Sequence, residues 1–460
     1  MFPLYDPMVG WALLCAYGLL TFAVINKFTY RYDKDRVSFL LARRELTWFT
    51  GALSIAAAWL WAPGLFISTQ QAYVNGLPGL FWFCLGNFLT LMFFAGFAHR
   101  LRKQSPEGFT ISGHIKEKFG DKAHFIYQVE MLAIAVCAVA INLVAGATTV
   151  ALLTNIDYNM SVVAMVLIAL SYTFLKGYKA TVVTEIIKVG VVYTVVGIIV
   201  ALIASRVGND PMLSISLDGI ASGGDGSITS SFGWGVFTSF GIAAFIGHMA
   251  GPWRDNNFYQ RAFAIKPNHI APAYILAAFM FILVPLAMGF IGFVAAGSGI
   301  VVPEGDIFNV NLYTIATILP KEAGLLFTFA IFAGLISIMD SQMTSVANIV
   351  GSDYADRFNF KGRSRLAMFI VAAIGIAVAV SGFSIGQLFL FFSIMGACVF
   401  IPTLIAISFP QLLTGKGLFY GVIGGFIPAI SLYFFGEVLY ATLTGVILPP
   451  VIALAWSRKS

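Results

Sequence analysis

Ser337, Asp340, Ser341, Thr344, Ser345 and Asn348 recur at intervals of three and four along the run Leu335–Asn348. At helical spacing they make one polar stripe down an otherwise apolar helix. Ser and Thr are ordinary glue between membrane helices, so the stripe alone reads as interhelical hydrogen bonding. Asp340 changes that reading, because a carboxylate in hydrocarbon costs a few kcal/mol and needs a reason. Carboxylate plus hydroxyls is hard-oxygen chemistry, suited to an alkali cation and not to a transition metal. A second stripe holds Thr181, Thr184, Glu185 and Lys188. Glu185 and Lys188 stand three residues apart, which suits an internal ion pair as well as a functional site. Glu130 lies within two turns of a helix end, close enough to snorkel toward water. His248 is the only histidine inside an apolar span. A lone buried imidazole usually serves as a satisfied donor and acceptor, but this one sits four residues before Pro252.

Two spans carry breakers near their middles: Ala56-Ala-Ala-Trp-Leu-Trp-Ala-Pro-Gly64 and Ala243-Ala-Phe-Ile-Gly-His-Met-Ala-Gly-Pro-Trp253. A Gly-Pro pair frees backbone groups that lipid cannot satisfy. Either site alone reads as a packing kink. Together they open two successive groups of five helices, and broken helices at corresponding places in two inverted halves point to a site at the bilayer midplane. Trp59, Trp61, His248, Gly251, Pro252 and Trp253 gather at these breaks and suggest a compact, aromatic, hydrogen-bonding pocket for a small molecule.

The elements that hold these residues are membrane helices. Hydrophobic residues make up 59% of the 460 and charged residues 10%, a balance that leaves no soluble domain enough polar surface. About 20 apolar residues cross a bilayer. Thirteen candidate spans follow, roughly 7–26, 47–73, 77–99, 124–153, 159–176, 180–205, 233–252, 272–299, 323–352, 366–383, 385–411, 417–436 and 438–456. With the N-terminus outside and the C-terminus cytoplasmic, all of the 27 Lys and Arg except Arg206 and Lys321 fall on the inner side. That is the positive-inside pattern of a multi-pass protein of the inner or plasma membrane. The net charge of +6 is therefore topology and not a nucleic-acid patch. Cys15, Cys84, Cys137 and Cys398 lie singly in apolar stretches, without metal-ligand or disulfide spacing. Residues 1–46 form an N-terminal helix and inner loop, 47–206 a first five-helix repeat, 233–411 a second and inverted one, and 412–460 two further helices.

Three segments carry a family resemblance. Gly177-Tyr-Lys-Ala-Thr-Val-Val-Thr-Glu-Ile-Ile-Lys188 resembles the Gly-Gly-x-x-Ala-Val-x-x-Thr-Asp-x-x-Gln segment of the sodium/solute symporter family. Ser337-Ile-Met-Asp-Ser-Gln-Met343, with Ser352-Asp-Tyr354 after it, resembles that family's Ser-Thr-Ala-Asp-Ser-Gln-Leu and its later Asp-Tyr. Asp255-Asn-Asn-Phe-Tyr-Gln-Arg261 with Lys266 resembles its Asp-Gln-x-x-x-Gln-Arg. The resemblance implies the all-α leucine-transporter fold, with 5+5 inverted repeats, an extra N-terminal helix and two C-terminal ones. It implies a sodium ion between the second and ninth spans, on the carbonyls of Ala57 and Leu60 and hydroxyls at Ser337 and its neighbour. That neighbour is Ile338, which has no oxygen to give. A second cation site would fall on Glu185, Asp340 and Ser341, where Glu185 replaces the usual Asp.

These features imply a secondary active transporter and not an enzyme, with no organic cofactor and sodium as the coupling ion. Protons are the alternative carrier, since Asp340 and Glu185 could hold them, and a passive channel is the other alternative. The sugar branch keeps a Lys where Phe281 stands four residues before Pro285. The run Arg254–Pro267 looks most like the urea branch. A small neutral or zwitterionic solute is expected, urea-like first and an amino acid such as proline second.

Overall fold

The computed structural model describes residues 4–28, 35–354 and 359–458. Among them the chain is helical throughout: α1 Pro7–Phe28, α2 Arg36–Leu41, α3 Trp48–Trp59, α4 Ala62–Gln104, α5 Ile111–Phe119, α6 Asp121–Thr154, α7 Tyr158–Lys176, α8 Tyr178–Asn209 and α9 Ser231–Val236. There follow α10 Ile242–Arg254, α11 Asn256–Ala264, α12 Ile270–Gly297, α13 Val310–Ile318, α14 Lys321–Asp353, α15 Phe360–Ala379, α16 Ile385–Ser408, α17 Gly415–Phe434 and α18 Val438–Arg458. Twelve stretches are long and apolar enough to cross a membrane. One of them, α4, has 43 residues. Run straight it would extend about 65 Å, twice the hydrocarbon thickness. It turns instead at Gly76, whose φ of +62° and ψ of −148° lie outside the helical region. The backbone groups freed there are met by the loop after α8, with Leu77 N–H donating to Leu217 O and Ile220 N–H to Tyr73 O. So α3 with the first part of α4 makes the second crossing, and the rest of α4 makes the third.

The break in the second crossing is real and falls at Leu60 and Trp61, just before Pro63-Gly64. The corresponding expectation at Gly251-Pro252 needs correction. The chain stays helical through Pro252 to Arg254, and the irregular turns of that crossing lie at the π-turn Phe237–Gly241 and at Asp255. Proline there removes the amide that would donate to the His248 carbonyl, yet the helix runs on for two more residues. A second correction concerns residues 253–271, expected as an inner loop. Every residue of α11 is buried, and Arg254 and Asp255 with it. The loop is core.

α14 runs through the centre of the molecule, with residues 327–349 buried except Phe329. Its polar stripe therefore faces protein all round, packed by α3, α6, α7, α8 and α11. At its Lys/Arg-rich end Asp353 accepts from Thr110 (3.0 Å), Ser112 (2.6 Å) and Gln128 (2.9 Å) and pairs with His124 at 3.1 Å, tying α14 to α5 and α6.

Candidate functional site

Breaking a helix in lipid leaves carbonyls and amides that must find partners. Here three neighbours supply them. The Ala62 amide donates to Asn142 Oδ1 of α6 at 3.2 Å. The Leu60 amide turns back to the Ala56 and Ala57 carbonyls. Lys188 of α8 reaches across, and its Nζ donates to Ala57 O at 2.6 Å and Leu60 O at 2.5 Å. Its Cε lies beside Gly334, one turn before Ser337 on α14. The ammonium is thus held between the broken helix and α14, with the whole side chain buried. The expected Glu185–Lys188 pair is not formed. Lys188 points to the break, and Glu185 pairs with Arg261 of α11.

Glu185 and Asp340 meet through one hydroxyl. Ser341 Oγ lies 2.7 Å from Glu185 Oε1 and 3.3 Å from Asp340 Oδ1. Glu185 also accepts from Ser54 Oγ and from the Arg261 guanidinium, which is fixed in turn by Asn257 and the Ser54 carbonyl. Asp340 Oδ2 accepts from Tyr172 (2.7 Å) and Thr184 (2.8 Å). The structure therefore brings Glu185, Asp340 and Ser341 together, the grouping that the family resemblance implies. Arg261 and Tyr172 complete the cluster. Arg261 stood in a quoted motif without a role, and Tyr172 carried no sequence signal, being one aromatic among many in an apolar span.

A cavity lies beside this cluster, lined by Trp59, Trp61, Gly251, Asp255, Phe258 and Phe392 together with Ala58, Ala138, Ile338 and Gln342. Its free space is about 10 Å³, room for one water at most. Trp59 lies over Gly251 so closely that any side chain there would meet its ring. Trp59 stands edge-on to Phe258 at 5.1 Å, and Trp61 tilts against Phe392 at 4.9 Å. The polar lining is one joined pair: Gln342 Nε2 donates to Asp255 Oδ2 at 2.8 Å. Gln342 Oε1 and Trp59 Nε1 are both buried without a protein partner. Burying such groups unpaired is costly, so they mark where a polar solute would be met.

Three expected substrate residues stand outside this cavity. His248 is packed between Phe83 and Phe389, with Nε2 3.2 Å from Asn87 Nδ2. Trp253 turns the other way, against Phe94 and Phe400, in a separate cleft that includes Arg100. Pro252 lies buried between them, away from the lining. Asp255 and Gln342 were not expected, although each stands in a quoted motif. Gln342 is one turn after Ile338, so helical spacing puts the two on one face.

The resemblance implies sodium at Ala57, Leu60, Ser337 and residue 338, and the residues present do not fit it. An ammonium takes both carbonyls, and Ile338 turns a hydrocarbon chain into the cavity. Ser337 Oγ is buried with no partner. At the second position the Glu185 carboxylate is taken by Arg261.

Comparison with known proteins gives the fold and the family. The structure is similar to that of a Na+-coupled sialic acid symporter, with a TM-score of 0.77 over 98% of both chains at 14% identity. It is also similar to a nucleobase-cation-symport-1 family transporter, at a TM-score of 0.58 over 92% of this chain and 94% of that one, again at 14% identity. By sequence it is 22% identical over 94% of its length to a rice protein described as a urea-proton symporter. It is 22% identical over 82% of its length to a baker's yeast urea active transporter, and 23% over 79% to a probable one from fission yeast. The chain spans 65%, 55% and 60% of those three relatives. The model of the sodium:solute symporter family matches residues 39–425. The chain has the leucine-transporter fold, and it belongs to the sodium:solute symporter family.

Proposed function

We propose that this protein carries urea, or a neutral solute of that size and polarity, by proton-driven symport with alternating access. The observation that carries the solute is the cavity beside α14. Urea is flat, with one carbonyl acceptor and four N–H donors. Gln342 Oε1 and the Asp255 carboxylate offer acceptors, Trp59 Nε1 offers a donor, and the rings of Trp61, Phe258 and Phe392 suit a thin planar body. The printed names of the relatives support the same choice. A cavity this small has to open before a solute enters, as alternating access requires and an open pore does not. The proton reading draws on the name of the rice relative and on the poor fit for sodium at Ala57, Leu60 and Ile338. The Lys and Arg distribution supports an orientation with the N-terminus outside.

The test is binding of radiolabelled urea to the purified protein, with competition by thiourea, proline and glucose. Urea should compete best and glucose not at all. Gln342→Leu removes an acceptor and should weaken binding by roughly one to two powers of ten. His248→Ala should weaken it less, since Phe389 stands between that ring and the cavity. Stronger competition by proline, or normal urea binding in Gln342→Leu, would refute this solute.

A further inference from the structure

We infer that Lys188 and Arg261 are the chain's own cations, standing at the two positions where the family resemblance implies sodium ions. The inference rests on the symporter reading above and deepens it, by naming what the ion sites hold. Two carbonyls freed by a helix break make a ready cation seat, and the ligand on them is the Lys188 ammonium, at 2.6 and 2.5 Å. At position 188 the family segment carries Gln, a neutral residue, so the charge belongs to this chain. The loss of a hydroxyl at Ile338 goes with it, because an ammonium donates in three directions and does not need the closed oxygen cage that a sodium ion needs.

The same substitution of a side chain for an ion is made one turn earlier on α8. The Glu185 carboxylate, a natural ligand for a second cation, receives the Arg261 guanidinium. Two side-chain cations, Lys188 and Arg261, therefore face two carboxylates, Glu185 and Asp340, all of them buried. The group is balanced as it stands. A sodium ion added to either position would bring an unpaired positive charge into a low-dielectric interior and would meet an ammonium or guanidinium at the ligands. Tethered cations also stay through the transport cycle, whereas a bound ion leaves with the solute. Lys188 then acts as a positioning residue that holds the broken helix against α14, which would leave this chain's transport indifferent to sodium at both positions.

The experiment uses the full-length purified protein and sodium alone as probe, so it needs no solute. Binding of radioactive sodium and the thermal midpoint are measured as sodium replaces choline at constant ionic strength. Wild type should show neither saturable binding nor a saturable rise in midpoint. Lys188→Ala should melt earlier and should be restored by ethylammonium or by sodium, with half-restoration at a concentration at least about tenfold below any at which wild type responds. Saturable sodium binding to wild type overturns the inference whether or not the variant folds. A folded Lys188→Ala that neither cation stabilises overturns it too. Failure to bind urea bears on the solute reading alone and leaves these outcomes as they are.

Discussion

At the scale of single residues, buried charge decides what the centre of the molecule can do. Removing one member of a buried, hydrogen-bonded charge group costs about 3–5 kcal/mol, far more than the group contributes when whole, because the partner stays behind uncompensated. Asp340 is the sharpest case. Tyr172 and Thr184 aim their hydroxyls at it, and it attracts Lys188 from the neighbouring face of α8. Asp340→Asn keeps the shape and discards the charge that balances Lys188. Initial rates of solute uptake should fall at least about tenfold, which corresponds to about 1.4 kcal/mol, with normal insertion in the membrane. Normal uptake in that variant would remove Asp340 from the account. The helical period put Glu185 on one polar stripe and Asp340 and Ser341 on another, and it was the family resemblance that implied the two stripes meet. The period could not place Lys188. A periodicity says which side chains share a face and is silent on what that face meets, and the carbonyls that hold Lys188 lie more than 120 positions earlier in the chain.

At the scale of elements, irregular backbone is allowed only where something else satisfies it. The break at Leu60 survives because Lys188 and Asn142 come to it, and the turn at Gly76 because residues 217–221 do. Gly76 has a backbone conformation that is essentially reserved for glycine, and a side chain there would also strike the Leu217 carbonyl. Gly76→Ala should therefore cost about 1–3 kcal/mol of stability. The check is the thermal midpoint in detergent, where an unchanged value would show that the loop simply moves aside. Apolar length and charge placement made the crossings legible, and the Trp-Leu-Trp-Ala-Pro-Gly run marked the first break. Gly251-Pro252 misled because the same dipeptide can end a helix or ride in its last turn, and only the packing of α10 against α4 and α16 distinguishes the two. Residues 253–271 misled in another way. Arg254, Asp255 and Arg261 read as a water-facing loop by composition, yet each finds a buried partner: the Phe392 carbonyl for Arg254, Gln342 for Asp255 and Glu185 for Arg261.

At the scale of the whole molecule, the arrangement is a small closed cavity beside a cluster of paired buried charges, both built on α14. Gln342 and Ile338 line the cavity, while Asp340 and Ser341 on the same helix belong to the cluster. In the proposed reading, a shift of α14 that opens the cavity also disturbs the charges, which would link an ion gradient to a solute. The central claim is that this linkage runs on protons and moves a solute like urea. Its most direct test is uptake of radiolabelled urea into proteoliposomes, first with an inward proton gradient and no sodium, then with an inward sodium gradient at equal pH. The account predicts accumulation above equilibrium in the first case and simple equilibration or no uptake in the second. Accumulation driven by sodium alone, or entry that ignores both gradients, would contradict it.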